Sequence, residues 1–279
     1  MSTPAALSGP FHCGCETEPA RGALLSVDVA LRKGLALTET VAEVERLPLE
    51  RVHGRVLARA VRAKTPLPLF DNSAMDGYAI RRADLSGDGP WSLPVAGRVA
   101  AGDAGSKPVP AGSALRIFTG APVPPGCDAV VMQEMVRREG DTIRLDWRPE
   151  PGENIRRAGE DIPEGAELLP AGRCIDARAA ALLAASGCGE VAVRRRIRVA
   201  FFSTGSELRA PGVELAAGQI WNANRYHLQG ALDRPWVEAI DMGAISDQPE
   251  LLRQALEEAS RQADLVVTTG GVSVGDEDH

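Results

Sequence analysis

Lysine is nearly missing from this chain of 279 residues: Lys33, Lys64 and Lys107 stand against 28 arginines, a skew that fits a GC-rich bacterial coding bias more than a mechanism. Base is also outweighed by acid. The 38 Asp and Glu against 31 Lys and Arg leave a net charge of −7, so the chain as a whole repels phosphate-rich polymers, which excludes a general nucleic-acid binder. An anionic ligand must be held by local devices instead. No apolar run approaches the ~20 residues that a membrane-spanning helix needs. The first twenty residues hold neither Lys nor Arg and no long apolar stretch, so they do not read as a signal peptide. Cysteine offers no disulfide framework either: Cys13, Cys15, Cys127, Cys174 and Cys188 are an odd number without regular spacing. Free thiols in a reducing compartment, the cytoplasm, are the expectation, with no membrane partner.

What is present is ordinary for a globular protein: 44% hydrophobic and 25% charged residues. That composition excludes collagen-like, coiled-coil and wholly disordered chains. At about 150 residues per domain the length predicts roughly two compact units.

Residues 1–20 lack apolar periodicity and are expected to form a disordered tail. Ser26 is placed to cap a helix with Val27, Ala30, Leu31, Gly34 and Leu35 along one face, and a second helix is predicted from Leu49, Val52, Val56 and Leu57. Between residues 62 and 162 lie 11 of the 20 prolines, interrupted by short apolar runs at 78–81, 115–119 and 129–133. That grammar predicts a β domain of short strands and tight turns. Asp176 then caps an Ala/Leu helix that stops at Gly187.

From residue 196 buried strand alternates with amphipathic helix. Strands are predicted at 197–202, 236–240 and 265–268, with helices at about 224–233 and after an Asp247-to-Glu250 capping box; Leu252, Ala255, Leu256 and Ala259 of the latter point inward. This is a parallel βαβαβ unit. Ligands of such sheets sit outside the carboxyl ends of the strands. The two richest glycine and hydroxyl loops fall there: Ser203-Thr204-Gly205-Ser206-Glu207, and the run from Thr269 through Gly270, Gly271, Ser273 and Gly275 to Asp278. Glycines admit backbone N–H groups close to an anion and hydroxyls add neutral donors, so a phosphate-bearing ligand is the first expectation. Three strands make a small parallel sheet, so this last domain reads as unfinished and the chain as the amino-terminal portion of a longer one.

Five runs, FDNSAMDGYA, TGAPVPPGCDAVVMQE, GENIRRAGEDI, STGSEL and TTGGVSVGDEDH, occur in this order. Together they resemble MoeA, the molybdopterin molybdenumtransferase family related to the E domain of gephyrin, from about Leu25 to His279. The resemblance implies an α/β multidomain fold. Residues 21–61 with 163–194 would form a small α+β linker domain, residues 62–162 a β-rich domain, and residues 195–279 an incomplete molybdopterin-binding domain of the MoaB/Mog type.

It also implies insertion of molybdate into adenylylated molybdopterin with release of AMP, by a homodimer whose active site joins the β domain of one protomer to the α/β domain of the other. A molybdopterin adenylyltransferase is a conceivable partner. Carried onto matching positions, Asp76, Thr119, Asp161, Glu207 and Asp278 would line the cleft. Asp76 and Asp161 are the expected acid/base groups. Glu207 and Asp278 are assigned both a catalytic part and the ligation of Mg²⁺, which clamps phosphoryl oxygens well. Ser203, Thr204, Gly205, Gly270, Gly271, Ser273, Gly275 and Arg156 would hold substrate, with Arg157 a further anion contact. Ser206 stands where the family usually has Asp, which removes a carboxylate beside Glu207.

The remaining signals are weaker. His12-Cys13-Gly14-Cys15 lacks the second pair a zinc site needs. Cys127, Cys174 and Cys188 read as packed residues, and Arg194-Arg195-Arg196 as a solvated edge, with a phosphate-contacting role as the alternative. Three rival readings differ in class: an adenylyltransferase, which should lack the β domain; a gephyrin-type scaffold; and an inactive fragment of the enzyme.

Overall fold

A computed structural model describes residues 25–103 and 108–270 of the chain. The Cys13/Cys15 pair and the expected tail to residue 20 lie outside the described residues, as do Gly271, Ser273, Gly275 and Asp278. The chain divides into two units, residues up to Ala42 and residues from Glu43 onward.

In the first unit a helix, Val27–Ala36, forms where predicted, and Ser26 Oγ accepts a hydrogen bond from Val29 N at 3.4 Å. Its apolar face is bare: Val27, Leu31 and Leu35 are all exposed.

The second unit opens with a strand, Val44–Pro48, paired antiparallel with Glu190–Arg194. The helix predicted from Leu49 to Leu57 is absent. Leu49–Arg51 is a single 3₁₀ turn, and Val56 and Leu57 bridge to Cys174 and Val193. Gly54, at φ +72°, turns the chain out of any helical path. The apolar spacing serves burial by a different route, since Val52 and Leu57 are fully enclosed in a core with Ile175, Leu183 and Val193. Helix Ala177–Ala185 covers that core with Ala179 and Leu183. Its ends follow the predicted grammar: Asp176 Oδ1 accepts from Ala179 N at 2.8 Å, and Gly187 has φ +76°.

The proline-rich region forms a six-stranded sheet in the order Ala129–Met132, Gly77–Ile80, Ala114–Ile117, Trp91–Val99, Thr142–Leu145, Arg137–Glu139. All neighbours are antiparallel except Trp91–Val99 with Ala114–Ile117. Strand alternation sends Tyr78, Ile80 and Val131 to one buried cluster and Ala79 and Val130 to another, so the Gly77–Ile80 strand is covered on both faces. Gly77 is obligatory there, because a Cβ would lie 2.0 Å from the Val131 carbonyl oxygen.

The last part is the predicted parallel βαβαβ unit. The central strand Ile197–Thr204 lies between Val237–Ile245 and Leu265–Thr269, with helices Ala223–Leu232 and Pro249–Gln262 as connections. Phe201 and Phe202 are each 1% exposed and point to opposite faces, each side chain contributing roughly 1.5–3 kcal/mol of burial. The flanking strand Leu265–Thr269 is less enclosed than its apolar sequence predicts, with Leu265 exposed. Of the expected inward residues, Ala255 and Ala259 are buried and Leu256 is exposed. Among the described residues no helix is long and apolar enough to cross a membrane.

Candidate functional site

The predicted site residues among those described fall into two groups of loops. The first stands at one end of the six-stranded sheet. Gly77 pairs with both Ile117 and Met132, so the residues just outside these partners, Asp76, Thr119 and Gln133, share that end. Asp76 Oδ1 accepts from Thr119 N at 2.8 Å and from Thr119 Oγ1 at 2.7 Å. The backbone donor, then the hydroxyl, holds the Asp76 carboxyl below its usual range. At neutral pH it is therefore an ionised acceptor and not a proton donor.

The other two motifs lock onto this one through backbone. Gly120 N donates to Ser73 O at 2.8 Å and Ser73 N to Ala121 O at 3.0 Å, while Ile155 and Arg156 pair with Ser73 and Asn72. Asp71, within the same FDNS run, accepts from Ala158 N at 2.8 Å and Arg157 Nη1 at 2.5 Å, which lowers its pKa, the backbone donor first. Asp161 pairs with Arg156 at 2.5 Å. The two arginines expected to meet an anion are thus engaged by the protein's own carboxylates. Arg116 was not anticipated. Its guanidinium stacks between the Tyr78 and Phe118 rings, 5.2 and 4.7 Å from their centroids, and donates to Gly77 O and to Gln133.

The second group stands at the carboxyl ends of the parallel strands, where three loops meet. Thr204 Oγ1 donates to Thr269 O at 3.3 Å, and a Cβ on Gly270, at φ +97°, would lie 2.3 Å from Thr204 Oγ1. The two glycine and hydroxyl loops therefore leave their strands side by side. Ser206 ties in the third loop: its N–H donates to Asp247 Oδ2 at 2.7 Å and its hydroxyl lies 2.8 Å from Ser246 Oγ.

Asp247 is thus not a helix cap. Gln248 occupies the N-cap position without a side-chain bond, and Glu250 pairs with Arg253. The local capping pattern loses to a tertiary donor 41 residues away. Ser203 Oγ, fully buried, donates to Asn222 Oδ1 at 3.1 Å, which also caps helix Ala223–Leu232 through Arg225 N. An Asn immediately before the helical pattern was the available signal for that residue.

Backbone donors in the first loop are largely committed. Gly205 N donates to Ile245 O at 3.0 Å and Ser206 N to Asp247. The loop offers hydroxyls and the Glu207 carboxylate, whose oxygens lie 2.8 and 2.9 Å from where a Gly205 Cβ would stand. Among the described residues no three His, Cys, Asp or Glu side chains come close enough to hold a metal ion, and no hydrogen bond or ion pair joins the two groups of loops.

Residues 25–187 match the family described as the MoeA N-terminal region (domain I and II). The chain belongs to the MoeA family. Residues 200–279 of this MoeA-family chain also match a probable molybdopterin binding domain. Among curated relatives, the molybdopterin molybdenumtransferase of Haemophilus influenzae is 40% identical over 91% of this chain and 63% of its own length. That of a Nostoc species is 41% identical over 85% and 55%. A crystal structure of the molybdopterin biosynthesis moeA protein from Pyrococcus horikoshii matches with a TM-score of 0.82 at 35% identity, covering 89% of this chain and 67% of that one. The chain spans 55–64% of the length of the curated relatives it matches.

Proposed function

We propose that this chain serves molybdenum cofactor biosynthesis as the amino-terminal part of a molybdopterin molybdenumtransferase, which inserts molybdate into adenylylated molybdopterin and releases AMP. The observation that carries the reading is the meeting of three loops at the carboxyl ends of the parallel strands, with Thr204 against Gly270 and Ser206 against Asp247. That is where an open α/β sheet takes its ligand.

In this reading Ser206 offers a hydroxyl donor to a phosphoryl oxygen, and Thr204 does so by turning its hydroxyl away from Thr269 O. Gly205 and Ser206 use their own amides within the fold. Asp76 and Asp161 carry the acid/base role, Asp76 as an ionised acceptor set against Thr119 and Asp161 oriented by Arg156. Glu207 and Asp278 would hold Mg²⁺, which would clamp phosphoryl oxygens. The protein would act in the cytoplasm as a homodimer in which the β-domain loops of one protomer complete the strand-end loops of its partner, with residues 21–61 and 163–194, 62–162 and 195–279 as its three domains.

Molybdate-dependent release of AMP from adenylylated molybdopterin tests the reading on the protein that carries this chain. AMP release that requires molybdate and is lost in Glu207→Gln and Asp278→Asn, with unchanged circular dichroism, supports it. AMP release at the parental rate in both variants removes these carboxylates from the site, and no turnover of this substrate by the parent overturns the activity. The adenylyltransferase rival is disfavoured by the six-stranded sheet in residues 77–145.

A further inference from the structure

A polar cavity lies at the end of the parallel sheet opposite the strand-end loops. Arg195 and Arg196 precede the central strand and Glu238 begins its neighbour, so the cavity sits at the amino ends of these strands. With eight residues at about 3.3 Å each, the Ile197–Thr204 strand separates it by about 25 Å from the strand-end loops. Its volume is about 250 Å³, and its walls are Glu45, Leu47, Arg51, Arg55, Arg195, Arg196 and Glu238. Four arginines and two glutamates line it.

Of the run read as a solvated edge, Arg195 is built into the fold while Arg196 is exposed. Arg195 forms ion pairs with Asp264 at 2.6 Å and Glu43 at 3.1 Å, with its side chain 18% exposed. Arg55 is 94% buried, since only 6% of its surface is exposed. Its Nη2 donates to Glu45 at 2.7 Å and to Arg194 O at 2.9 Å, yet its Nε–H is shut off from solvent without an acceptor. Such a donor is costly while it stays unpaired. Arg51 and Arg196 are exposed and have no carboxylate partner among the described residues.

From this geometry we infer that the cavity is a binding site for a tetrahedral oxyanion, a phosphoryl-type dianion. Arg51 and Arg196 supply its charge balance. A pivot of the Arg55 guanidinium about its pair with Glu45 brings the idle Nε–H onto an anion oxygen, and the planar fork suits two such oxygens at once. Glu45 is neutralised by Arg55 and Glu43 by Arg195; Glu238 is the carboxylate that limits affinity.

Calorimetric titration of the full chain with inorganic phosphate, and separately with AMP, tests the site. Parent protein is compared with the double variant Arg51→Gln/Arg196→Gln, which alters exposed side chains only, and with Arg55→Lys, which keeps the charge and removes the Nε–H. The double variant is expected to weaken phosphate binding by at least about tenfold, and Arg55→Lys to weaken it in the same direction. Loss of the phosphate signal alone assigns the site to the free ion, and loss of an AMP signal as well assigns it to a nucleotide phosphate. Isotherms unchanged by the double variant for both ligands overturn the inference and leave the cluster as an ion-pair joint.

Discussion

Gly270 presses its Cα hydrogen side against Thr204: a Cβ added there would stand 2.3 Å from the threonine Oγ1 and 2.8 Å from its carbonyl oxygen. Neither atom belongs to a side-chain end that can swing far, and the glycine sits at φ +97°, where other residues are strained. Gly270→Ala is therefore expected to push the two strand-end loops apart, lowering stability by about 1–3 kcal/mol. Chemical denaturation measures it, and an unchanged midpoint would show that the loops are not in contact in solution.

Asp76 restrains Thr119 by two hydrogen bonds to one oxygen. Its folded pKa lies below the ordinary value, so this restraint is fully present above pH of about 4 and fades as pH falls through the depressed folded value. Asp76→Asn should raise amide exchange at residues 119–121 at neutral pH, while wild type should match it only in strong acid. Equal exchange in both proteins at neutral pH would contradict this.

Asp264 accepts both Nη atoms of Arg195, at 2.6 and 2.9 Å, and Arg198 N at 2.8 Å. The Arg195 bonds, first of all, hold its carboxyl far below the usual range. Since a depressed carboxylate stabilises above its unfolded pKa and loses that contribution only as pH drops through the folded one, Asp264→Asn should destabilise on the order of 2 kcal/mol at pH 7. The difference from wild type should shrink only below pH of about 4. Thermal melts of the two proteins across pH read this directly.

The three described cysteines differ in surroundings: Cys174 is exposed, Cys188 is buried, and burial pushes the Cys127 thiol up to about 11. Alkylation at pH 8 followed by peptide mapping should label Cys174 first, Cys127 slowly and Cys188 only on unfolding. Early labelling of Cys188 would show that the helix Ala177–Ala185 does not cover its core as described.

Much of this was legible where the signal is local. Ser26 and Asp176 announce their helices because a short polar side chain next to an apolar stripe has few better partners than the free amides ahead of it. The parallel unit from Ile197 to Thr269 was legible from apolar runs spaced by amphipathic stretches. Other features depend on distant residues. Asp247 has the spacing of a capping box but bonds to Ser206, and Val52 and Leu57 have helical spacing but reach their core through a turn at Gly54. The order of the six-stranded sheet, with one parallel pair inside it, has no local signature. The site shows the same division. Motif residues were readable, but Asn222 under Ser203 and Asp71 under Arg157 became visible as partners only once the strands were paired.

The most direct test of the proposed function is hydrogen exchange of the full-length protein with and without adenylylated molybdopterin. The account predicts simultaneous protection in segments 203–207, 245–247 and 269–270, the three loops that meet at the strand ends. Protection confined to one of these segments, or found elsewhere with all three unchanged, would contradict it.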